Sequence, residues 1–198
     1  MLDASYNARS LLDLVRSLGT RLHRADRRLV LVVPPHRGSS VFFGSEAFEQ
    51  ASKYVDHFSL MTYDYSTAGA AGPNAPIKWC AEAVERVARS ADLKSKVLMG
   101  LNFYGNDYVQ GRSGAATVLG RDLVARLTTR SNRQMQFEWS PVFAEHSLAY
   151  VDEAGAAHTV YYPSPKSIAQ RIELAQRMGA GISIWEIGQG LDYFYELL

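Results

Sequence analysis

Residues 58–65 read Phe58-Ser59-Leu60-Met61-Thr62-Tyr63-Asp64-Tyr65, a short and nearly unbroken apolar run that ends on a Tyr-Asp pair. Runs of about four to eight apolar residues, partly β-branched or aromatic, suit strands buried on both faces. Three more share the pattern: residues 28–34 (RLVLVVP), 96–103 (KVLMGLNF) and 181–185 (GISIW). Helical spacing alternates with them. Leu11, Leu14, Val15, Leu18 and Leu22 precede the first run, residues 45–55 follow it, and residues 76–88 follow the second. A further helix is expected from Ser164 or Ser167 to Met178, closed by Gly179, and a short terminal one over 191–198. Ser45 and Asn74 are the expected N-caps, and Pro76 suits a first turn. Strand and helix in alternation predict an α/β fold with a parallel sheet and helices outside it.

Outward from that frame, the runs starting near 28, 58, 96 and 181 leave a third interval much longer than the about 30 residues of one βαβ unit. Residues 104–163 are therefore expected to form a small α+β insertion. It combines a helix-like stretch at 119–127 with strand-like pieces around 135–139, 148–151 and 159–162, the last two joined by a turn at Asp152-Glu153-Ala154-Gly155. Residues 1–103 and 164–198 would form the partial barrel. Four βα units are half of the eight that close one, so the chain is expected to be the C-terminal half of a TIM (β/α)8 barrel. Open parallel edges and an uncovered inner face containing Val30, Val32, Leu60, Leu98 and Ile184 are expected with it.

Composition bounds the function classes. The 198 residues are 47% hydrophobic and 21% charged, which is ordinary globular usage. A formal net charge of +1 is too small for the sequence-independent phosphate attraction of a nucleic-acid binder. The densest apolar run, residues 29–33, is far short of the roughly 18 residues of a membrane span, and the first residues show no basic and then apolar export signal. The lone Cys80 lies on the helical stripe of Ile77, Ala81, Val84 and Ala88 and reads as packing. Five scattered His residues lack ligand spacing. No metal and no cofactor are expected.

The segment from Met61 to Tyr65 resembles the MxYD signature of glycoside hydrolase family 18, to which the chitinases belong. Leu98-Met99-Gly100-Leu101-Asn102-Phe103-Tyr104-Gly105 is similar to that family's seventh strand, and Gly181-Ile182-Ser183-Ile184-Trp185-Glu186 to its eighth. In order and spacing the likeness covers nearly the whole chain from Leu29. It implies a site that holds the N-acetyl group of a sugar, since in this family the substrate's own acetamide attacks the anomeric carbon. Tyr63 would donate to the acetamide carbonyl, Asp64 would accept from sugar or amide groups, and the Trp185 face would lie under a pyranose ring. For Asn102 and Tyr104, pocket lining and packing of the insertion both remain open. Met61 reads as core with one wall toward the pocket, and Glu186 as a structural pairing partner.

The family's acid lies in a strand-four DxxDxDxE motif, and no window of these 198 residues fits it. No catalytic residue is assigned, and strand four would precede Met1. The expected function is thus that of a carbohydrate-binding chitinase-like protein recognising chitin-type oligosaccharides or amino sugars without hydrolysis. An active family 18 glycosidase whose acidic motif lies upstream is the alternative. A third reading is a scaffold for a scavenger receptor of the stabilin type, because several stretches resemble the stabilin-interacting branch of the family. The resemblance also implies a secreted or lysosomal location.

Overall fold

Apolar runs too short for helices become strands here, and amphipathic segments between them become helices. The computed structural model describes residues 4–36, 43–66, 70–128 and 135–198. Along the chain run α1 (Ala4–Arg24), β1 (Val30–Val33), α2 (Ser45–Ala51), β2 (His57–Leu60), α3 (Ile77–Val87), α4 (Ala91–Lys94), β3 (Val97–Asn102), β4 (Gly105–Val109), β5 (Ala116–Val118), α5 (Gly120–Thr128), β6 (Gln136–Ser140), β7 (Glu145–Val151), β8 (Ala157–Tyr162), α6 (Pro165–Met178), β9 (Gly181–Trp185) and a closing 3-10 helix (Asp192–Leu197). The four expected strands lie in one sheet in the expected order, β1-β2-β3-β9, with β1-β2 and β2-β3 paired in parallel. This is a partial α/β barrel. Among the described residues no helix is long and apolar enough to cross a membrane.

The chain divides into two compact units. The first comprises Met1–Met61, Ala81–Gly100 and Ala175–Ser183. Its core packs Phe48 against Phe58, with ring centres 4.0 Å apart, beside buried Val33, Val55, Leu60, Val97 and Met99. Lys96 Nζ donates to the carbonyls of Ser52 at 2.5 Å and Val55 at 2.9 Å, satisfying acceptors that the end of α2 leaves open. The Asp56 carboxylate accepts the Leu29 backbone N–H at 2.6 Å and lies 3.0 Å from the His23 ring nitrogen, which fixes the entry to β1. Ser59 on β2 meets Ser183 on β9 at 2.9 Å although β3 lies between those strands, so the sheet curls strongly.

That pair corrects the expected inner face. Side chains alternate across a strand, so if Ser59 and Ser183 turn inward, Leu60 and Ile184 turn to the opposite face, and Leu60 is 1% exposed. Val30 and Val32 are uncovered as expected, at 48% and 54% exposure. Helix ends differ in detail. Residue Gly44, not Ser45, occupies the N-cap of α2, the helix stops at Ala51 rather than near 55, and the terminal helix is 3-10.

The second unit comprises Thr62–Cys80, Leu101–Leu174 and Ile184–Leu198. It is built on an antiparallel sheet in the order β5-β4-β8-β7-β6. The β7–β8 turn falls on Asp152, whose Oδ1 accepts the backbone N–H groups of Ala154 and Ala156 at 3.0 and 2.8 Å, while Gly155 takes the left-handed conformation at φ 84°. Gly105 is required where β4 crosses β8, because a Cβ there would stand 2.5 Å from the Tyr161 carbonyl oxygen. Strands β4 and β5 carry no apolar alternation and were not expected.

Candidate functional site

Tyr63, Asp64, Asn74, Asn102 and Tyr104 belong to the second unit. Beyond the end of β2 the chain leaves the sheet, and Asp64 takes a left-handed φ of 63°. That conformation is uncommon outside glycine, with Asp among the side chains that tolerate it, and it persists only where surroundings hold it. Asn74 does the holding. Its side-chain oxygen accepts the Asp64 backbone N–H at 2.6 Å, and its carbonyl accepts that of Tyr65 at 2.8 Å. Asn74 is therefore not the N-cap that its position before Pro76 suggested.

Tyr104, two residues past β3, donates its hydroxyl to Asp64 Oδ1. Tyr63 and Tyr104 meet edge to face, with ring centres 6.2 Å apart at 78°. Burial, reinforced by the Asp64 charge, pushes the Tyr63 hydroxyl up to about 12 and raises that of Tyr104 further. Both hydroxyls stay protonated donors at any physiological pH. Asn102, also buried, turns its amide nitrogen to the Tyr104 carbonyl at 2.8 Å and braces the turn that carries that tyrosine.

Trp185 ends β9 and is 52% exposed, and its carbonyl accepts the backbone N–H of Phe103 at 2.8 Å, one residue before Tyr104. The structure thus brings Tyr63, Asp64, Tyr104 and Asn102 into one cluster, with Trp185 tied to it through the backbone. Met61 belongs to the first unit, with its N–H donating to the Val33 carbonyl at 3.0 Å. Cys80 is buried, and its thiol donates to the carbonyls of Thr62 and Ala75 at 3.6 and 3.5 Å, a packing role in keeping with its helical stripe.

Behind Asn74 stands a buried ion pair that sequence reasoning did not reach. Glu145, at the start of β7, accepts the backbone N–H groups of Asn74 at 2.8 Å and Ala75 at 2.5 Å. Arg171 on α6 reaches Glu145 Oε1 at 3.0 Å and also donates to the carbonyls of Ala75, Phe143, Ala144 and Ser167. Burial pushes the Glu145 carboxyl up, against the opposing pull of Arg171 and the two amides. Nothing local marks these residues, since Glu145 lies 71 positions from Asn74 and neither belongs to a repeated pattern. Among the described residues no group of three His, Cys, Asp or Glu side chains is placed to hold a metal ion.

The cluster sets a Tyr63 hydroxyl beside an Asp64 carboxylate that is held by Tyr104, with the half-exposed Trp185 at a neighbouring strand end. Comparison with known proteins places the chain in a family. A cortical fragment-lytic enzyme of Bacillus anthracis is 28% identical over 195 residues, covering 93% of this chain and 44% of that relative. The chain thus spans less than half the length of the curated relatives it matches. The crystal structure of the Bacillus cereus spore cortex-lytic enzyme SleL superimposes with a TM-score of 0.79 at 23% identity, over 97% of this chain and 44% of that one. A Cycas revoluta GH18 chitinase mutant in complex with (GlcNAc)4 gives 0.72 at 15% identity, over 94% and 61%. Residues 3–190 match the family described as glycosyl hydrolases family 18. By that match, which takes in both the parallel strands and the Tyr-Asp cluster at their ends, the chain belongs to glycosyl hydrolase family 18.

Proposed function

We propose that these residues bind chitin-type, N-acetylated oligosaccharides without cleaving them. The carrying observation is the Tyr104–Asp64 hydrogen bond beside the buried Tyr63. It holds a carboxylate acceptor next to a protonated phenol, the pair of groups that an acetamide N–H and C=O require. The exposed Trp185 ring supplies an apolar face for the pyranose. No window of the sequence fits DxxDxDxE, so the reading includes no proton donor for the glycosidic oxygen.

A second reading, an active glycosidase whose acid comes from a longer chain, is favoured by the names of the relatives, which are lytic enzymes matched over 44% of their length. A receptor-binding role of the stabilin type, and membership of that branch, find no support in these relatives.

Titration of the 198-residue chain with (GlcNAc)4, followed by Trp fluorescence and by product chromatography, tests the reading. Binding is expected at about millimolar strength, since one wall leaves much of the ligand in water. It should weaken at least about tenfold for the fully deacetylated oligomer and in Tyr63→Phe with Trp185→Ala. Absence of binding, or equal binding of the deacetylated oligomer, overturns it, and released shorter oligomers transfer the conclusion to the glycosidase.

A further inference from the structure

We infer that Glu145, anchored by Arg171, is a positioning residue that sets the Asp64 backbone through Asn74. The inference rests on the sugar-binding reading only for the meaning of Asp64 and not for the linkage itself. The contacts form an unbroken series. Arg171 pairs with Glu145 at 3.0 Å, Glu145 accepts Asn74 N–H at 2.8 Å, Asn74 accepts Asp64 N–H at 2.6 Å, and Asp64 accepts from Tyr104. Each member has its orientation fixed by the next. One carboxylate takes two consecutive amides, of Asn74 and Ala75, while the two oxygens of Asn74 take two more, of Asp64 and Tyr65. Charge-assisted bonds of this kind are about twice as strong as neutral ones.

Such a costly arrangement points to geometry rather than stability. A buried ion pair contributes little net stability compared with well-packed apolar residues, although removing one partner is severe. What Glu145 does supply is a rigid double acceptor for the segment that carries Asn74, and Asn74 in turn constrains a residue whose left-handed φ the chain would otherwise relax. With Asp64 relaxed, its carboxylate leaves the Tyr104 hydroxyl, and acceptor and donor no longer face one ligand group together.

The first arm of the test needs no ligand. Hydrogen exchange by NMR on the 198-residue chain should show the Asp64 and Tyr65 amides losing about tenfold or more of their protection in Glu145→Ala. Amides of the β4–β8 ladder should keep theirs. Glu145→Gln, which retains one acceptor oxygen, should fall between. Equal loss everywhere, or unchanged exchange at Asp64 and Tyr65, overturns the proposal. Should Glu145→Ala fail to fold, Arg171→Lys, which keeps the charge but not the planar fork, carries the same comparison. The second arm is a double-mutant cycle on (GlcNAc)4 binding, in which Glu145→Ala and Asp64→Ala are expected to be non-additive, the double variant binding no more weakly than the weaker single one. Additive losses overturn the linkage. If Asp64→Ala leaves binding unchanged, the sugar-binding reading fails, and the exchange arm still decides the positioning role.

Discussion

The side-chain oxygen of Asn74 grips the backbone N–H of Asp64 at 2.6 Å across ten residues, at a position where this non-glycine residue has a positive φ. A conformation that would be unfavourable in isolation is thus held by a hydrogen bond from the residue's own backbone N–H. The two facts together make the tyrosine-aspartate segment a rigid element.

Replacing Asp64 separates backbone from side chain. Both Asp64→Gly and Asp64→Ala lose the Tyr104 contact, but only alanine retains a Cβ that disfavours φ 63°. Asp64→Ala should therefore be less stable than Asp64→Gly by about 1 kcal/mol in urea unfolding. Equal midpoints would show that the loop relaxes freely.

Replacing Asn74 removes the side-chain acceptor of the Asp64 N–H. Asn74→Ala is expected to lower stability by about 1–3 kcal/mol, measured by denaturant titration, with Asn74→Asp losing less because it keeps an oxygen in place.

Acid should loosen the first unit through Asp56. Its carboxyl is held below the ordinary value by the Leu29 backbone N–H and then by His23. A carboxyl depressed on folding contributes stability above its unfolded value near 3.8, and that contribution is lost as pH falls through the lower folded value. Unfolding free energies of the wild type and Asp56→Asn should accordingly differ at pH 7 and converge toward pH 3. A constant gap over that range would refute the linkage.

On the antiparallel sheet, Asp107 is 4% exposed in its side chain and faces Arg126 Nη1 at 2.5 Å and His158 Nδ1 at 2.9 Å. Asp107→Ala leaves a partly buried guanidinium without its carboxylate and is expected to cost about 3 kcal/mol. Asp107→Asn, which preserves shape and an acceptor, should cost less. Thermal unfolding of the two variants decides between them.

Absorbance titration at alkaline pH checks the burial of the tyrosine cluster. Exposed tyrosines ionise near their ordinary value of about 10, whereas Tyr63 and Tyr108 are pushed up to about 12, chiefly by burial. Tyr63→Phe should remove amplitude only from the late phase of the curve.

How much of this was readable in advance follows from the range of each interaction. The four strands of the first sheet were legible because their apolar runs are short and nearly continuous. Burial is nevertheless full on only one face of β2, at Phe58 and Leu60, and β1 leaves Val30 and Val32 exposed. Tyr63, Asp64, Tyr104 and Trp185 were legible because they sit at strand ends within short recognisable motifs. Strands β4 and β5 were hidden, since Gly105, Asn106 and Asp107 have little intrinsic preference for a strand and are held by their partners. Asn74 was misassigned because an Asn before Pro reads as a helix cap, a local role, when its bonds run back to a loop. Glu145 and Arg171 could not be found at all, because a single carboxylate in a strand acquires meaning only from residues far away in the chain.

That distance has a consequence for synthesis. Arg171 closes on the carbonyl of Ala75, 96 residues earlier, and translation at about 5–20 residues per second separates the two by about 5–20 s. Throughout that interval Asn74 can already meet the Asp64 N–H, ten residues before it, but the Glu145–Arg171 pair that grips Asn74 and Ala75 from behind is not yet complete. A nascent chain whose α6 is still in the tunnel carries every tyrosine and aspartate of the cluster without the guanidinium that backs it.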